Sequence, residues 1–182
     1  MAILNTTLMA DQTAGRRIKL DGLPVKGTFL ATCFEIEERH QVERKKYQSE
    51  ETEIVDLIRF YFGYKAKDGT PQIIVSKPFK ISGHEKSALF QFLKQWLGDA
   101  PTDGFDTASM LTKGAQITVG YSDSLSGKKY ANIASIGPVM DGLESSVPRS
   151  EQFNQYLEPL ASSKGGKTAQ QKREDEDDQI GF

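Results

Sequence analysis

A chain of 182 residues suits one domain of ordinary size with appendages. Hydrophobic content of 37% and a mean hydropathy of −0.48 fit a single core with polar flanks, and no apolar run approaches the roughly 18 residues of a membrane-spanning helix. A net charge of −2 excludes an evenly basic surface, and one cysteine excludes an intramolecular disulfide and a thiolate metal cluster.

The amino-terminal residues lack a signal-peptide pattern, so the expectation is a soluble, intracellular protein. Residues 1–22 are weakly patterned and turn basic at Arg16, Arg17 and Lys19, which reads as an extended, partly ordered arm. A first strand is expected over 24–36, where Phe29, Leu30, Cys33, Phe34 and Ile36 stand among Thr and Ala. Cys33 in that setting is a packed core thiol. The charged stretch that follows, with Glu43-Arg44-Lys45-Lys46, reads as a long polar loop or an extended hairpin tip over 37–53.

The clearest strand spans 53–65. Ile58, Phe60, Phe62 and Tyr64 fall on one face, and Arg59, Tyr61, Gly63 and Lys65 on the other. Asp68-Gly69 makes a hairpin turn, and a third strand is expected over 71–81. Ser82 and Glu85 have capping-box spacing ahead of Leu89, Phe92, Leu93, Trp96 and Leu97, which recur at helical intervals up to Gly98. After a loop with a turn of helix near 106–111, two more strands are expected over 115–122 and 129–139, with Pro138 stopping the ladder. Phe153, Tyr156, Leu157 and Leu160 suit a short helix within an extension over 143–161. Residues 162–182 read as a flexible linker and an acidic tail.

The order β-β-β-α-β-β, with one helix between the third and fourth strands, is that of an OB-fold over residues 23–142, a five-stranded barrel closed by its helix. Other small five-stranded folds accept the same order.

Catalytic and metal-binding chemistry has little to stand on. The two histidines, His40 and His84, have no ligand spacing, and Gly165-Gly166-Lys167-Thr168 lacks the earlier glycine and the strand and helix of a phosphate-binding loop. The expectation is a non-enzyme without cofactor or metal. Removing residues 164–182 from the count leaves 19 of the 23 bases and 20 of the 25 acids, so binding to nucleic acid would rest on a local basic face. Arg59, Tyr61 and Lys65 on the second strand, with Lys67, Lys77, Lys80, Lys128, Lys129 and Tyr130 on nearby turns and strands, supply cations for phosphates and flat rings for bases. Phe60, Phe62 and Tyr64 are expected in the core.

The chain ends on five consecutive carboxylates, Glu174 to Asp178, and then Gln179-Ile180-Gly181-Phe182. Repulsion keeps such a run solvated, so it is either a solubilising tail or a tethered docking peptide with an apolar tip. A linker of twelve residues, 162–173, has a span of about 20 Å, enough for the acids to fold back onto a basic face.

The body from Tyr64-Lys65-Ala66-Lys67-Asp68-Gly69 through Tyr130-Ala131-Asn132-Ile133-Ala134-Ser135-Ile136 resembles phage-encoded single-stranded-DNA-binding proteins with an OB-fold. The tail is similar to that of bacterial single-stranded-DNA-binding proteins, which end on Asp-Asp-Ile-Pro-Phe. Asp177, Asp178, Ile180 and Phe182 match in type and order, while Gln179 intervenes and Gly181 replaces the proline. The resemblance implies coating and protection of single-stranded DNA in replication, recombination or repair, in the cytoplasm of a host cell if phage-encoded. It further implies recruitment of replication proteins through the tail. The alternative is an adaptor whose barrel and tail bind other proteins without nucleic acid. Oligomeric state stays open.

Overall fold

The computed structural model describes residues 16–159. The protein is mainly β, built on one large antiparallel sheet. Its strands are β1 (Arg16–Ile18), β2 (Gly27–Lys45), β3 (Thr52–Lys65), β4 (Pro71–Val75), β5 (Phe79–Lys80), β6 (Gly114–Asp123), β7 (Lys129–Gly137) and β8 (Leu157–Pro159), with helix α1 (Ala88–Leu97) between β5 and β6. The large sheet runs in the order β4-β3-β2-β6-β7, with β5 also paired to β3, while β1 and β8 form a separate antiparallel pair. Among the described residues no ladder joins β4 to β7, so the sheet is not closed into a barrel.

The core lies where the alternation placed it. Ile58, Phe60, Phe62 and Tyr64 of β3 are buried together with Ala31, Cys33, Ile36, Ala115, Ile117 and Val119. Helix α1 covers this face with Leu89, Leu93 and Trp96, and the Trp96 indole N–H donates to the Gly114 carbonyl at 2.8 Å. Rings of Phe60, Phe62, Phe79, Phe92 and Trp96 meet at centroid distances of 4.7–6.5 Å, edge-on or tilted except for Phe60 and Phe92, which stack at 5.6 Å. Burial pushes the Cys33 thiol well above its ordinary range, as suits a packed core cysteine.

Of the two readings of the charged stretch over 37–53, the extended hairpin holds: β2 and β3 pair down to Lys45 and Thr52, and opposite charges meet on the arms and at the tip, Arg44 with Glu53 at 2.9 Å, Lys45 with Glu50 at 2.8 Å and Lys46 with Glu51 at 2.6 Å. Three local expectations are corrected. The single third strand is two, β4 and β5, separated at Ser76–Pro78, where Pro78 has no N–H for the ladder. The Ser76 hydroxyl accepts the Phe60 N–H there at 3.0 Å. The helix starts five residues later than its capping-box signal. Ser82 and His84 cap a preceding turn, and Ser87 is the N-cap, accepting the Phe90 N–H at 3.1 Å. Gly98 ends the helix at φ 79°, as expected. Finally, residues 150–159 are not one short helix but two 3-10 turns, Ser150–Gln152 and Asn154–Tyr156, followed by β8.

That last segment decides which face of the sheet is open. Phe34 follows inward-facing Cys33 and so points to the side opposite the main core, and a bulge in β2 between Cys33 and Glu35 then returns Ile36 to the core side. There Phe34, Tyr61 and Ile73 bury Phe153, with Ile18, Leu20, Tyr156 and Leu157 packed around them. The extension therefore folds back onto the outer face of β2, β3 and β4, held by β1–β8 pairing and by the Lys19 N–H donating to the Tyr156 carbonyl at 2.9 Å.

Candidate nucleic-acid interface

The outward side of β3 was the expected platform, and most of it is covered. Tyr61 is 2% exposed, with its hydroxyl donating to the Glu37 carboxylate at 2.5 Å. Arg39 Nε holds the other Glu37 oxygen at 2.6 Å. Burial, and then the Glu37 hydrogen bond, push the Tyr61 phenol well above its ordinary range. Tyr61 thus offers no open ring to a base. Its polar neighbours in sequence were a correct sign of the opposite face, but that face is a second core. Arg59, opposite Glu37 in the ladder, is half-buried beside it.

The lysines divide into three groups. Lys80 is tied at 3.2 Å to Glu53, which Arg44 also holds, so its charge is largely answered. These two cations keep the Glu53 carboxyl below its usual range. Lys65 and Lys67 are exposed at the end of β3 and on the turn after it. Lys77, together with Tyr130, lines the opening at the seam of the sheet, and Lys128 and Lys129 lie where the turn leads into β7.

That opening is a cleft of about 670 Å³. Ser76 and Lys77 border it from the β4–β5 junction, Gly120 to Ser122 from β6, Tyr130 and Asn132 to Ala134 from β7, and Ala88, Gln91, Phe92 and Gln95 from α1. Phe79 and Phe92 extend the main aromatic cluster into it, and the Lys77 ammonium lies 5.5 Å from the centre of the Phe79 ring. Tyr130 is 49% exposed, and Tyr121, 40% exposed, anchors its hydroxyl on the Pro24 carbonyl at 2.9 Å. Lys128 and Lys129 stand at the adjoining β6–β7 turn, exposed and without a carboxylate partner among the described residues. No carboxylate lines the cleft.

Tyr121 was missed because it continues the inward alternation of Ala115, Ile117 and Val119 and so reads as core; at the end of β6 it lies beyond the packed interior. The tail residues Asp177, Asp178, Ile180 and Phe182 lie outside the described residues. Among the described residues no group of three His, Cys, Asp or Glu side chains is placed to hold a metal, and no helix is long and apolar enough to cross a membrane. No protein-family model, curated protein or solved structure matches the chain.

Proposed function

We propose that the protein binds single-stranded DNA, coating and protecting it during replication, recombination or repair, and that the described domain is an OB-fold opened along one seam. The strand order β4-β3-β2-β6-β7, with the helix between the third and fourth long strands, supports that architecture, since OB barrels are only partly closed. One observation carries the functional reading. The fold brings Lys77 beside Tyr130, 53 residues later in the chain, in a cleft with aromatic walls, side-chain amides and no carboxylate. A base needs a flat ring to stack on and a phosphate needs a cation, and the cleft supplies both.

In this reading the tail is a docking peptide. Burying Phe182 on a partner would contribute about 1.5–3 kcal/mol, and the carboxylates of Asp177 and Asp178 can pair with Arg or Lys there. Replication or recombination proteins are the partners, and the host cytoplasm is the compartment if the protein is phage-encoded. The test is titration of a fluorescent oligo-dT across a salt series, with the full chain and with residues 174–182 deleted. Saturable binding that weakens steeply with salt supports the reading. Stronger binding at low salt after deletion supports competition by the tail; equal affinity removes that competition.

The adaptor reading has its own observation. β4 and β7 end the sheet without a ladder between them, so an extended peptide could add to either edge. Absence of saturable oligonucleotide binding at moderate salt would favour it.

A further inference from the structure

We propose that a hollow between Lys65 and Arg149 anchors a backbone phosphate of the strand bound in the seam cleft, and that the strand runs between the two sites over the outer face of β6. The inference rests on the single-stranded-DNA reading and extends it to a second subsite and a direction of travel.

The hollow has a volume of about 510 Å³ and lies where the folded-back extension meets the start of β2 and the end of β3. Lys65 and Arg149 line it with three hydroxyls, those of Thr28, Ser145 and Ser146. No carboxylate lines it, and neither cation has an ion-pair partner among the described residues. Glu144, next to the serines in sequence, lines a neighbouring cleft with Lys113 instead. Two unanswered cations with hydroxyl donors match the needs of a phosphodiester oxyanion, and Arg149 can present two parallel N–H groups to it.

The face between the two sites is continuous and low. Thr28 of the hollow shares a hydroxyl hydrogen bond of 3.0 Å with Thr118 of β6. Gly120 follows on the same face of β6, where an added Cβ would stand 3.1 Å from the Asn132 side-chain oxygen and 3.4 Å from the Ala134 Cβ. Asn132 in turn donates to the Ser122 hydroxyl at 2.5 Å, and Ser122 pairs across the ladder with Tyr130. The side chain of Asn132 lies over Gly120, and threonine, serine and alanine beside it keep this face shallow enough for a strand to lie along it. The folded-back extension, which closes the outer face of β3, thus supplies through Arg149 half of the anchor on its neighbour.

The experiment compares the full chain with Lys65→Gln/Arg149→Gln and with a charge-matched control, Lys45→Gln/Lys46→Gln, on the far hairpin tip. Each is titrated with fluorescent oligo-dT over a salt series after thermal melts show it folded. Each phosphate contact on a single strand adds about 0.7 to the slope of log affinity against log salt. The Lys65→Gln/Arg149→Gln variant is expected to lose about 1.4 from that slope, with the control unchanged. Thr118→Glu, which puts a carboxylate on that face next to Thr28, is expected to weaken binding further in the Lys65→Gln/Arg149→Gln background, where the anchor is already gone. A Lys65→Gln/Arg149→Gln variant with the parental slope overturns the anchor, and a Thr118→Glu change that leaves the affinity of that background unmoved overturns the path. If the unmodified chain itself fails to bind oligo-dT, the single-stranded-DNA reading falls, and the phosphate anchor with it.

Discussion

Phe153 fills the space that a side chain at Gly63 would need: a Cβ there would stand 2.3 Å from two carbons of the Phe153 ring. The closeness is the basis of the second core, since it lets the extension settle onto β3. Gly63→Ala is expected to lower stability by about 1–3 kcal/mol through overpacking, and Phe153→Ala by about 3–5 kcal/mol through the cavity it leaves. The double variant should cost clearly less than the sum, because the clash vanishes with the ring. Urea midpoints of the four proteins measure this, and strict additivity would sink the idea that the two residues share one space.

Tyr61 belongs to the same second core, and its hydroxyl serves Glu37 rather than a ligand. Tyr61→Phe leaves a nearly buried carboxylate one donor short, with Arg39 as its remaining partner. The expected loss is about 1–3 kcal/mol of stability, with the oligo-dT affinity of the folded protein unchanged. Loss of affinity with an unmoved melting curve would return Tyr61 to the binding surface.

These two residues show where sequence pattern stops being informative. Alternation along residues 58–64 identified the inner face correctly, because hydrophobic burial imposes a period of two on each strand. It could not report what returns to the other face from some ninety residues later. A sign was present in Gly63, since a glycine inside a strong strand often marks close approach of another element. Pro78 likewise carried the information that the third strand must break, whereas the choice between Ser82 and Ser87 as helix cap depended on a turn made by His84. Lys77 and Tyr130 were individually legible as a cation and a ring beside polar neighbours. Their meeting across the seam was not, because it depends on which strands end the sheet. Arg149 sits in a segment with no periodicity at all.

Glu38 gives a pH dependence whose sign follows from burial. Both of its carboxylate oxygens are buried without a hydrogen-bond partner, and the His40 Nε2 is 3.5 Å from one of them. Burial raises its pKa above the usual carboxyl value, His40 opposes the shift, and Asp106 and Asp56 add to it. A carboxyl raised in the folded state favours folding while protonated. That contribution is full below the ordinary carboxyl pKa and is lost as pH climbs through the folded-state value. Glu38→Gln should therefore raise the urea midpoint near pH 7 and raise it less near pH 4. A larger gain at the acid end would show that the carboxylate is stabilised where it sits.

Tyr130 and Lys77 separate the two interactions of the proposed cleft. Tyr130 is half-exposed and sits on an edge strand, so replacing it should move the melting temperature little. Tyr130→Ala is expected to weaken oligo-dT binding by about 1–3 kcal/mol, and Tyr130→Phe to preserve it, because stacking uses the ring and not the hydroxyl. Lys77→Gln should instead lower the salt slope by about 0.7 while leaving high-salt affinity closer to that of the parent protein. The ring and the cation act through different physics, so the two signatures should not interchange. A Tyr130→Ala protein that loses only salt slope, or a Lys77→Gln protein that loses affinity equally at all salt concentrations, would mean that the cleft does not hold a base on Tyr130 and a phosphate on Lys77.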